Sequence, residues 1–152
     1  AVTSMDLEQG FQRNKIGSLE GIGYFTSLTS LNCTYNNLTA LNVSGCTELS
    51  DLNCDHNNLT ALDVSGCTKF SVLNCQRNTL TELALSGCLT SLTELWCGVN
   101  DLTELDLTGC TALQRFSSAE NKRLSSLKVS GLAKLEFLNC KDNNLNELDV
   151  SG

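Results

Sequence analysis

The chain has 152 residues, 41% hydrophobic but only 5% aromatic, with no proline and a net charge of −7. Its 17 acidic residues against 10 basic ones argue against a nucleic-acid backbone or an anionic membrane surface as partner. No apolar run approaches the roughly 18 residues of a membrane-spanning helix, so membrane insertion is not expected.

In chain order, residues 1–27 come first and are irregular. Val2, Met5 and Leu7 are expected in strand positions there, and "NKIGSLEGIGYF" at 14–25 supplies the rest of a turn. From residue 28 the chain repeats itself. The units are 28–48 ("LTSLNCTYNNLTALNVSGCTE"), 49–69 ("LSDLNCDHNNLTALDVSGCTK"), 70–91, 92–112, 113–134 and an incomplete 135–152. Residues 1–27 are expected to cap the first of them.

In each unit LxxLxC carries the period-2 alternation of a strand, and LxxLDV does the same beyond a turn. Neither segment is long enough for a helix. One unit cannot bury its own apolar edge, so neighbours must stack, at the strand spacing of about 4.8 Å, into a slab roughly 30 Å long. The expected fold is a mostly β solenoid with two parallel sheets on opposite faces and little or no helix.

Two columns need a separate account. Asn36, Asn57, Asn78, Asn100, Asn121 and Asn143 recur where the chain turns inward. A buried carboxamide can donate to one stranded backbone group and accept from another, so a stacked Asn ladder is expected. The glycosylation patterns at Asn32, Asn37, Asn42 and Asn58 are accounted for by the same repeat consensus. The nine cysteines occupy two positions, Cys33, Cys54, Cys75, Cys97 and Cys140 in the strand and Cys46, Cys67, Cys88 and Cys110 in the late turn. At the latter position Leu132 stands for Cys, which marks an apolar space-filler. In-register neighbours keep their Cβ atoms near 4.8 Å, too far for a disulfide. No converging cluster suits zinc, so free, buried thiols are expected, with no metal and no cofactor.

The motif LxxLxCxxNxLxxLDVxxCxx resembles the leucine-rich repeat, and within it the short 21-residue bacterial class of treponemal and Bacteroidetes surface proteins. The resemblance covers residues 28–152 strongly and 2–27 weakly. It implies a solenoid whose LxxLxC face is concave and holds the ligand, and a secreted or cell-surface bacterial setting.

The third, fifth, seventh and eighth positions of each unit are expected to face water on that side. The fifth position reads Asn32, Asn53, Asn74, Trp96, Ser117 and Asn139, so the only Trp interrupts a polar column. Tyr35, Val72, Val99 and Phe137 are also expected to be exposed there. With His56, Arg77 and Arg115 they form the candidate binding surface, since aromatics and Arg dominate interface hot spots. The expected function is non-catalytic recognition, with a protein as ligand. The alternatives are an adhesion or scaffolding fragment that acts by assembly, or an apolar small molecule held under Trp96. Catalysis lacks residues: His56 is the only histidine and no departure from the repeat marks a triad.

Two further expectations concern the other face and the end of the array. Asp63, Glu82, Glu104, Asp106, Glu147 and Asp149 form an acidic stripe, too flat to give calcium its six to eight converging oxygens. The last unit ends at "ELDVSG" with its apolar edge uncovered. That edge predicts a homodimer, or an array that continues beyond it.

Overall fold

The computed structural model describes residues 1–10 and 14–151. Seven three-residue strands build one parallel sheet: β1 (Ser4–Asp6), β2 (Ser30–Asn32), β3 (Asp51–Asn53), β5 (Val72–Asn74), β7 (Glu94–Trp96), β9 (Arg115–Ser117) and β11 (Phe137–Asn139). The register is uniform: Met5, Leu31, Leu52, Leu73, Leu95, Phe116 and Leu138 face one another in sequence. Backbone bonds prolong the ladder past the strands, as from Cys54 N–H to Asn74 O at 2.8 Å.

The opposite face carries β4 (Ala61–Asp63), β6 (Glu82–Ala84), β8 (Glu104–Asp106) and β10 (Ser126–Lys128). These strands are parallel, as expected, but pair only as β4 with β6 and β8 with β10. The outer ladder is interrupted between β6 and β8, whereas the LxxLxC face, the one expected to be concave, carries the continuous seven-stranded sheet. Among the described residues the one helical element is a 3₁₀ turn at Ile22–Tyr24.

Between the faces lies an aliphatic core. Leu28, Leu49, Phe70, Leu92 and Leu113 form one fully buried row, and Leu38, Leu59, Leu80, Leu102 and Leu124 another. Cys33, Cys54, Cys75 and Cys97 stack between them, and Cys46, Cys67, Cys88 and Cys110 fill the late turn. All nine cysteines are free, and only Cys140 is less than fully buried. In the last unit Leu135, Leu138, Cys140, Leu145 and Leu148 are half-buried, having a neighbouring unit on one side within the chain.

In the first turn Met5 and Leu7 are half-buried against the core, but Val2 is exposed and precedes β1. Val2 thus lies outside the strand expected to hold it: β1 pairs through Met5, and Val2, level with the buried Leu28, stays exposed.

Candidate functional site: the concave sheet face

Each turn leaves the concave sheet through a fixed device. Tyr35, His56, Arg77, Val99, Glu120 and Asp142 all adopt left-handed backbone, with φ between 48° and 62°. None is glycine, and for a β-branched residue such as Val99 this conformation is strained. The bend delivers the next residue, the ladder Asn, into the interior. Asn78 shows the pattern. Its Nδ2 donates to Cys54 O and Cys75 O, both at 3.1 Å, and to Gln76 O at 3.0 Å, while Oδ1 accepts from Leu59 N–H at 2.9 Å. Asn57 and Asn100 repeat it turn by turn.

The same bend corrects one expectation. The seventh position was expected to face water, yet Thr34, Asp55, Gly98 and Ala119 are buried. The left-handed residue that follows folds the chain over them.

The concave face holds two clusters. The first joins units four to six. Arg115 places its guanidinium carbon 5.6 Å from the ring centres of both Trp96 and Phe137. The two rings lie 5.7 Å apart, tilted by 41°. Trp96 is pinned from behind, its Nε1 donating to Glu94 Oε2 at 3.1 Å. Its register neighbour Ser117 is small and buried, which leaves room for the indole to lean toward Phe137, two strands away.

The second cluster joins the first three units. Tyr35 stacks on His56 with ring centres 4.0 Å apart. Asp55 sits beneath, its Oδ2 3.0 Å from His56 Nδ1 and its Oδ1 3.7 Å from Arg77 Nη1. Neither contact has the alignment of a hydrogen bond, so these are close approaches to a nearly buried carboxylate.

Arg77, Val99, Arg115 and Phe137 are exposed as expected; Tyr35, His56, Val72 and Trp96 are half-buried. For Tyr35, His56, Val72 and Trp96 this corrects the expectation that they are exposed. The aromatic rings lie along the sheet against neighbours rather than standing off it. The sequence view missed Asp55, hidden at a position assigned to solvent, and Glu94, whose only signal was its place two residues before Trp96.

Over units one to four the face dips into a depression of about 310 Å³, lined by Ser30, Asn32, Asp51, Asn53, Val72, Asn74 and Trp96. The lining mixes these Ser, Asn and Asp side chains with apolar surface from Leu31, Leu52, Val72 and Trp96. On the opposite face Asp63, Glu82, Glu104, Asp106, Glu147 and Asp149 are exposed. Asp106 takes a 2.8 Å hydrogen bond from Lys128, which with Thr108 holds its carboxyl down at about 2.

The core thiols are chemically quiet. Burial pushes Cys33, Cys97 and Cys110 up to about 12, and Cys67 and Cys88 up to about 11. Cys54 and Cys75 rise well above the ordinary thiol range for the same reason, reinforced by neighbouring thiols.

This geometry is a leucine-rich repeat solenoid fold. Among solved structures, the functional domain of InlJ from Listeria monocytogenes, described as including a cysteine ladder, is 32% identical over 97% of this chain, with a TM-score of 0.70. An internalin, InlF, from the same organism is 21% identical over 96% of this chain, with a TM-score of 0.76, a likeness of fold. The chain spans 36% and 43% of the lengths of those two chains. No family model and no curated protein matches it. Among the described residues, no helix is long and apolar enough to cross a membrane.

Proposed function

We propose that the chain is a non-catalytic recognition module that binds a protein partner through its concave face, centred on Trp96, Arg115 and Phe137. The observation that carries this is the guanidinium of Arg115 lying 5.6 Å from both rings. Three consecutive turns thus contribute to one partly exposed aromatic and cationic patch on the seven-stranded sheet. Residues of these types give interfaces their hot spots, because each offers a large area with few rotamers to freeze. The pairing of Arg with aromatic rings also keeps the patch ordered before binding.

The likeness to internalin structures supports adhesion at a bacterial surface, by secretion or display, as the setting. We assign the units to the short 21-residue class of leucine-rich repeats. Residues 1–27 serve as the N-terminal cap, and Tyr35, His56, Val72, Arg77 and Val99 extend the surface toward it. An apolar small molecule under Trp96 would leave the carboxamides of Asn53 and Asn74 beside it without partners.

The test is capture by the immobilised chain from membrane and surface-protein extracts, followed by affinity measurement on the purified partner. Trp96→Ala and Arg115→Ala should each weaken binding by roughly 10-fold or more, the scale of a hot spot. Glu82→Ala and Glu104→Ala on the other face should leave it unchanged. Binding that follows the second pair and ignores the first would overturn the assignment.

A further inference from the structure

We propose that the depression over β3, β5 and β7 is a binding site for a neutral oligosaccharide, held by the carboxamides of Asn53 and Asn74 and walled by Trp96. These three residues are consecutive in register: Asn53 faces Asn74, and Asn74 faces Trp96. Parallel pairing sets them about 4.8 Å apart in a straight row.

Both carboxamides have a fixed orientation. The backbone N–H two residues on donates to each oxygen, from Asp55 to Asn53 Oδ1 and from Gln76 to Asn74 Oδ1, both at 3.3 Å. A backbone donor can only be met by oxygen, so the NH₂ groups take the other side. Among the described residues those NH₂ groups have no hydrogen-bond partner. The first member of the column differs: Asn32 Nδ2 donates to Asp6 Oδ1 and Glu8 Oε2. Asn53 and Asn74 therefore present pre-oriented donors beside one another, next to a half-buried indole.

The remaining lining completes a pattern of donors and acceptors. Asp51 and Ser30 supply oxygens along the neighbouring row, and Val72 an apolar floor. A sugar ring matches this combination: its C–H face packs on an aromatic side chain while its hydroxyls both donate and accept. An apolar molecule would strand the amides, and a loss of that kind is costly. Charge narrows the class. Asp51 borders the site and Glu94 stands in the same row, while Arg115 lies against the other side of Trp96. Acidic sugars would be repelled, so the ligand is neutral. The depression, at about 310 Å³, falls at the low end of ligand clefts, so it takes one part of a chain that continues along the open sheet.

This site shares Trp96 with the protein-binding patch but needs Asn53 and Asn74 rather than Arg115 and Phe137, so the two can be separated. The probes are neutral gluco-, manno-, galacto- and N-acetylglucosamine oligomers, followed by calorimetry and by Trp96 emission. At least one series should bind and shift the emission. Asn53→Asp and Asn74→Asp keep the oxygen that the turn uses and remove the donors. Each should weaken binding by roughly 10-fold while leaving the melting temperature nearly unchanged. The Ala variants should do the same, which guards against a mere charge effect. Arg115→Ala should retain sugar binding even where it loses protein capture. No heat and no emission change with any series would overturn the site, as would binding that is indifferent to both Asn positions.

Discussion

The carboxamide of Asn78 donates to the carbonyl of Cys54, 24 residues earlier, at 3.1 Å, and so bolts one turn of the solenoid to the one before it. The same side chain closes its own turn on Cys75 and accepts from Leu59 N–H. Asn78→Ala would leave these buried groups unpaired, at about 1–3 kcal/mol for each group left unsatisfied. Asn74→Ala, four residues away on the open face, should change stability by about 0.5 kcal/mol or less. Denaturant unfolding of both variants compares them directly, and equal losses would contradict the ladder.

Val99 holds a left-handed φ of 55° with its side chain exposed. Asn tolerates that conformation and valine does not, so Val99→Asn should stabilise the chain by about 1 kcal/mol. Thermal unfolding checks the sign, and a destabilised variant would show that the valine side chain contributes packing of greater worth.

Gly87 marks a different constraint. A Cβ placed there would overlap the carbonyl of Ser65, one turn earlier. The clash is with backbone, which cannot rotate aside, so Gly87→Ala should cost at least as much as an overpacked core position, about 1–3 kcal/mol. Gly131→Ala meets nothing within 4 Å but has φ 76°, so its smaller cost should be strain alone. Urea midpoints of the two variants give the order.

The buried thiols predict an alkaline limit. In the fold, Cys67 and Cys88 ionise near 11 and Cys33, Cys97 and Cys110 near 12, against 9.0 for an unperturbed thiol. Folded pKa values are raised, so this stabilisation is complete below about pH 9. As pH climbs from 9 toward 12 the unfolded chain loses protons that the folded chain keeps, and stability falls. Each such thiol adds a slope of about 1.4 kcal/mol per pH unit. Unfolding free energy measured from pH 8 to 10.5 should drop steeply, and Cys75→Ala should shallow the slope even if it lowers stability at pH 8. A flat profile would mean the thiols are not buried.

Much of this was legible in the sequence, because a repeat turns single positions into columns. The Leu, Asn and Cys columns identified both faces, the stacking direction and the free thiols. What escaped came from geometry that periodicity does not carry. The outer strands pair only as β4 with β6 and β8 with β10, although their sequences alternate as well as those of the inner sheet. The left-handed column spans Tyr35, His56, Arg77, Val99, Glu120 and Asp142, six residue types with no shared preference for it. The bend it makes buries Asp55, which reads as a surface residue. For Trp96, the lean toward Phe137 depends on the small Ser117 beside it, a relation across two turns rather than within one.

The concave face as the recognition surface is the central claim, and site-specific photocrosslinking tests it most directly. A photoreactive amino acid at Val72 samples the concave sheet beside Trp96, and one at Ala61, exposed on β4, samples the opposite face. Bound to the captured partner and irradiated, the chain labelled at Val72 should give a crosslinked product that Trp96→Ala abolishes, while the chain labelled at Ala61 gives none. Crosslinking from Ala61 with none from Val72 would contradict the account.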